Sequence, residues 1–109
     1  MKLESKNVTT QLEILKRKLG GELFVPVTLA EAAFTNGICK AGNPIAADGT
    51  IDNVGTNVVG ILLNDVSNEN SNGTIVKAFA CVNETNCNAN AGITLAEAVK
   101  TALPLIVFE

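Results

Sequence analysis

The chain contains no histidine, no tryptophan and no tyrosine, and only four of its 109 residues are phenylalanine. Without histidine it has no general base poised near neutral pH, no imidazole metal ligand, and no Ser–His or Cys–His nucleophile pair. Without tryptophan or tyrosine it lacks the aromatic platform that sugar sites usually want. Long apolar runs are missing too. The longest near the centre, Val58-Val59-Gly60-Ile61-Leu62-Leu63, is far short of a membrane span, and Met1-Lys2-Leu3-Glu4 leads into polar residues rather than a signal-peptide core. A reducing compartment is therefore expected. Three cysteines, Cys39, Cys81 and Cys87, do not read as a disulfide framework, although Cys81 and Cys87 could bridge. The net charge of −3 offers nothing to nucleic acid.

Enough is present for one folded domain. Apolar residues make up 47% of the chain and charged residues 17%, which places it among globular rather than disordered sequences. Its charge is divided unevenly. Residues 1–20 carry Lys2, Lys6, Lys16, Arg17 and Lys18 against two glutamates, whereas residues 21–109 carry nine carboxylates against three lysines. A basic leader of residues 1–22 on an acidic body of residues 23–109 suggests a docking arm; the bland alternative is a solvated helix end.

Local patterns give a coarse fold. Thr10-Gln11-Leu12-Glu13 has the form of a capping box, Leu12, Leu15 and Leu19 follow at helical spacing, and Gly20-Gly21 supplies a stop. A helix of about nine residues is too short to persist alone in water, so this one is expected to dock on its own body or on a sister subunit. Three such helices could pack their leucines about a three-fold axis; intramolecular packing is the competing use.

Beyond the glycines the texture is that of strands. Residues 23–29 are rich in β-formers, with Pro26 marking an edge or bulge. Asn36-Gly37 and Asp48-Gly49 are turn signals, separated by the short strands Ile38-Cys39-Lys40 and Pro44-Ile45-Ala46. Residues 58–63 read as a core strand in which Gly60 marks a close backbone approach. An Asn/Ser loop over 64–73 leads to a strand over 74–82, with Ile75, Lys77, Phe79 and Cys81 on one face. Thr94-Leu95-Ala96-Glu97 opens a second short helix reaching Leu103, and residues 105–108 form a last strand after Pro104. The expected fold is mainly β with minor α: a small barrel- or sandwich-like domain, a short N-terminal helix, and one short C-terminal helix before the last strand.

Chemistry-bearing motifs fare poorly. Asn68 to Gly73 has the outline of a calcium loop, but Asn68 stands for the first aspartate and Phe79 for the bidentate glutamate. The sequons at Asn7, Asn72 and Asn83 carry no weight without a secretory signal. Cys81 and Cys87 lack further Cys or His neighbours for zinc. Asp48 and Asp52 fall in a turn-rich stretch read as exposed, with nothing to raise either pKa. No catalytic, metal or cofactor site is read from these residues.

The stretch Asn36 to Val66, NGICKAGNPIAADGTIDNVGTNVVGILLNDV, resembles the small head fibre and capsid decoration proteins of tailed bacteriophages. NGTIVKAFACVNE and ITLAEAVKTALPLIVFE continue the likeness, which covers residues 23–109, and the lambda-type head decoration fold is a more distant relative. The resemblance implies a β-rich, non-enzymatic domain made in the host bacterial cytoplasm and found on the outside of the virion capsid. It also implies a homotrimer bound to the major capsid protein. Lys2, Lys6, Lys16, Arg17 and Lys18 are the candidate capsid-docking residues, and Leu12, Leu15 and Leu19 the candidate contacts between subunits. A decoration protein gains affinity by bridging neighbouring shell subunits, so modest contacts add through multivalency. The alternative is a host-surface or glycan-binding module, whose asparagines over 64–72 and 83–90 would bond sugar hydroxyls.

Overall fold

Strand breaks fall where the sequence supplies turn residues. In the computed structural model, which describes residues 14–17 and 21–109 and only the backbone of Arg17, Asn36 and Gly37 take positive φ values of 55° and 81°. That is the two-residue turn of a tight hairpin: Thr35 and Ile38 exchange both backbone hydrogen bonds, at 3.0 and 3.1 Å. The Asp48-Gly49 turn closes differently. Gly49 has a φ of 89°, its N–H donates to Ala46 O, and the Ala46 N–H donates to Thr50 O.

Among the described residues nine strands and two α-helices result: β1 (Leu15–Arg17), β2 (Leu23–Thr28), β3 (Ile38–Cys39), β4 (Pro44–Ala46), β5 (Val58–Leu62), β6 (Val66–Ser67), β7 (Asn72–Ala78), β8 (Ala80–Val82), α1 (Glu84–Ala91), α2 (Glu97–Ala102) and β9 (Ile106–Phe108). They make three sheets, in the orders β2-β7-β5-β4, β1-β8-β9 and β3-β6, and these do not close into a barrel. All pairs are antiparallel except β8 with β9. The mainly-β, minor-α expectation holds.

Alternation along the four-stranded sheet divides the core in two. Ile61 and Val76 face a cluster completed by Val82, Val99 and Ile106, while Leu62 and Ile75 face a second with Ile45 and Val66. Each fully buried Ile, Leu or Val contributes about 1.5–3 kcal/mol, so both clusters matter to stability. Gly60 sits where β5 crosses β7: a Cβ there would lie 2.6 Å from Val76 O.

Three local readings are corrected. Leu15 to Arg17 is not helix but strand, paired with Val82 and Cys81 through a bulge, and Ile14 is buried in the first cluster. Residues 14–17 therefore belong to the body rather than to a separate leader. The run over 74–82 is two strands in two sheets, broken at Phe79, whose φ is 60°. One chain segment there passes from one sheet to the other, which a straight strand cannot do, and Ala80, Cys81 and Val82 are all buried. Finally, residues 84–91 are helical. Asn83 Oδ1 accepts the Asn86 N–H, and Gly92, with a φ of 73°, ends the helix.

The second helix starts later than its capping pattern predicts. Its N-cap is Ala96, without a side-chain bond, because asparagines elsewhere satisfy the nearby amides. Leu95 N–H donates to Asn88 Oδ1, and Ala96 N–H to Asn53 Oδ1.

Candidate interaction surfaces

Of the basic residues assigned to docking, Lys2, Lys6 and Lys18 lie outside the described residues, as do Leu12 and Leu19 of the leucine stripe. Lys16 is exposed on β1 and sits 4.0 Å from Glu109, a pairing the linear sequence does not suggest. Arg17 contributes its backbone to β1, opposite Cys81. Leu15 is half-buried against the body's own core, so it is not on a helical stripe offered to sister subunits.

The thiols are built as core. Cys39, Cys81 and Cys87 are all free and buried. Burial, with Asp65 nearby, pushes the Cys39 pKa up to about 11, and burial with Glu84 pushes Cys87 up to about 12. At neutral pH both are protonated, and a protonated thiol is a poor nucleophile and a poor metal ligand. Among the described residues no group of three or more Cys, Asp or Glu could hold a metal ion.

Asp52 corrects the expectation of an exposed turn carboxylate, since it is only 9% exposed. Its Oδ2 accepts the Asn57 N–H at 2.6 Å, and its Oδ1 accepts those of Val54 and Gly55 at 3.0 and 3.1 Å. The Asn57 amide chiefly, then that of Val54, hold the carboxyl below its ordinary pKa although burial opposes them. A carboxylate stabilised as an anion is a weak base. Its work is to fix the loop carrying Val54, which is 71% exposed.

A pH dependence follows. A depressed native pKa adds stability above the unfolded value, about 3.9, that is lost as pH falls through the native value. Asp52→Asn should therefore flatten the loss of thermal stability below about pH 4 and lower the midpoint at pH 7 by roughly 4–8 °C, because one part-buried amide loses its acceptor. Thermal melts at pH 7 and pH 3 check this; the same fall between the two pH values in variant and wild type would refute it.

The asparagine segments are largely occupied by the fold. Asn83 caps α1, Asn88 accepts from Leu95 N–H, and Asn90 Nδ2 donates to Ala41 O and Asp65 Oδ1. Asn72 Oδ1 accepts from the Thr28 hydroxyl.

The residues from 36 to 66 form a framework. Ala41 is fully buried and donates its N–H to Asp65 Oδ1 at 2.8 Å. Gly42 packs against the backbone of α1, Pro44 and Ile45 are buried, and Asp48 Oδ1 accepts from both the amide and the hydroxyl of Thr50. The last contact holds the Asp48 carboxyl below its usual range.

One further candidate is an apolar groove of about 330 Å³ where the ends of β5 and β7 meet the turn after α2. Leu23, Val59, Phe79, Leu103, Pro104 and Leu105 line it, with Lys77 at the same site. Sequence reasoning missed it because four distant segments build it.

No family model, curated protein or solved structure matches this chain.

Proposed function

We propose that this chain is a non-enzymatic virion structural protein, a head fibre or decoration protein that binds the major capsid protein on the outside of a tailed-phage shell as a homotrimer. The Asn36–Val66 pattern carries the reading. Its support is that the residues composing the pattern are the ones the β framework needs: the buried Ala41, the Gly42 contact, the Asp48-Gly49-Thr50 turn, Gly60 and the Asp65 bond. A likeness resting on such positions points to a shared scaffold, and a scaffold that presents surfaces is what shell decoration requires. Host-surface attachment is the weaker reading, because asparagines 83, 88 and 90 bond within the fold.

Co-sedimentation with expanded and unexpanded heads lacking the protein tests the proposal. The leader is probed in the full chain by reversing Lys2, Lys6 and Lys18 to Glu, since residues 14–17 belong to a sheet. Saturable binding to expanded heads is expected, with the triple reversal weakening it by about tenfold or more at low salt. Absence of binding to either particle would overturn the reading and bring host-surface attachment forward.

A further inference from the structure

We propose that the cleft between the β3 hairpin and the end of α1 receives an aromatic side chain carrying one hydrogen-bond donor, a tyrosine or tryptophan of a protein partner. That this partner is the major capsid protein rests on the function proposed above. The cleft's choice of side chain rests on its own chemistry.

The first observation is a buried acceptor without a donor. Among the described residues two polar side chains are buried, Asp52 and Asn43. Asp52 meets backbone amides with both of its oxygens. Asn43 is different. It is 5% exposed, its Nδ2 donates to Lys40 O at 2.8 Å, and no donor among the described residues reaches its Oδ1. Buried polar atoms are otherwise almost always paired, because leaving one unmatched is costly. Asn43 lines a cleft of about 430 Å³, within the size range of pockets that hold ligands. A group entering this cleft is therefore selected for an N–H or O–H.

The second observation is what surrounds that oxygen. Ile38, Ile51 and Ile93 line the cleft, and the first two are 40% and 37% exposed. Thr35, Asn36 and Lys40 are exposed at the same site. No unmatched charge is on offer: Lys40 Nζ lies 3.7 Å from Asp65 Oδ2, and the Cys39 thiol, with a pKa pushed up to about 11, is neutral at pH 7. These features favour an uncharged group with a large apolar body and one donor. Serine and threonine are too small to cover the isoleucines. Leucine and phenylalanine would cover them and leave Asn43 Oδ1 unpaired. Tyrosine and tryptophan meet both demands, and the Lys40 ammonium adds attraction for an aromatic ring.

Composition says where the side chain comes from. This chain contains neither tyrosine nor tryptophan, so no segment of it and no second copy of it supplies the group. The occupant belongs to a different protein. Tyrosine and tryptophan are also the side chains that most often anchor interfaces between proteins, seated in apolar pockets with a polar surround.

Amide NMR spectra of the full chain, titrated with p-cresol as the tyrosine side chain and with toluene as the ring without its donor, test the assignment. p-Cresol should shift the amides from Ile38 to Asn43 and from Ala91 to Ile93 saturably, with a Kd on the order of 1 mM. It should bind about tenfold or more tighter than toluene. Asn43→Leu should erase that preference. Ile38→Glu, at an exposed position, should weaken p-cresol binding by about fivefold or more, and it keeps the test decisive if the buried substitution fails to fold. Equal affinity for the two probes, or no saturable shift up to about 20 mM p-cresol, would overturn the proposal and leave Asn43 Oδ1 to water. So would a preference that Asn43→Leu leaves intact, or p-cresol binding that Ile38→Glu does not weaken. Head binding is a separate readout and can fail while p-cresol still selects this cleft.

Discussion

Deleting residues 1–20 will lower the thermal midpoint of the domain by about 20 °C or more. The loss comes from the body's own sheet. Ile14 is 3% exposed within the larger core cluster, and Ile14 O accepts the Asn83 N–H at 2.7 Å just before α1 begins. Removing a buried isoleucine costs roughly 2–5 kcal/mol, and the lost β1–β8 hydrogen bonds add about 0.5–1.5 kcal/mol each. Against a total stability of about 5–15 kcal/mol, that is a large fraction. Deletion also turns β8, with Ala80, Cys81 and Val82 all buried, into an edge strand open to unwanted pairing. Circular dichroism melts of the deleted and full-length chains decide the matter. An unchanged midpoint would mean that β1 contributes nothing to the fold. Loss of head binding on this deletion would therefore not identify a docking arm, which is why charge reversal in the full chain is the cleaner probe.

The β1 segment also marks a limit of periodicity. Leucines at 12, 15 and 19 fit a helical face, yet Ile14, Leu15 and Lys16 equally fit a short strand with one residue buried, one half-buried and one exposed. Three residues are too few for period to choose, and the deciding partner, β8, lies some 65 positions away. Strands flanked by Asn36-Gly37 and Asp48-Gly49 were legible because those turns carry their conformational requirement in the residues themselves. The break at Phe79 was not: no glycine, proline or asparagine stands between Ile75 and Val82.

Helix α1 shows the opposite failure, in which the signal was present but unusual. Cys87 is its one buried residue, so no apolar stripe announced it. Asn83 before it and Gly92 after it were the available cues. The surfaces were less legible than the fold. The Lys16–Glu109 pair and the groove around Phe79 both join residues that only the folded chain brings together. Asp52 looked like a turn carboxylate because nothing in a linear string shows that the amides of the following residues converge on it.

Gly42→Ala will cost the domain about 3–5 kcal/mol, enough to lower its midpoint by roughly 15–30 °C. Two independent penalties meet at this position. Its φ is 96°, where an alanine is strained, and a Cβ would lie 2.7 Å from Cys87 Cα and 2.8 Å from Cys87 O. Both atoms are helix backbone, so no side-chain rotation relieves the contact; α1 itself must move. It is not free to do so, because Cys87 is buried in the core, Asn90 ties α1 to Ala41 O and Asp65, and the Gly42 N–H donates to Leu62 O at 2.8 Å. Gly92→Ala separates the two penalties. Gly92 also has a positive φ, of 73°, but nothing lies within 4 Å of its would-be Cβ. Its substitution should cost about 1 kcal/mol, a midpoint shift of roughly 4–8 °C. Equal shifts in the two variants would show that backbone angle alone governs both sites and that α1 yields to the clash. A much larger shift at Gly42 would assign this glycine of the Lys40-Ala41-Gly42 motif to helix packing, making the motif a requirement of the scaffold rather than of a binding surface.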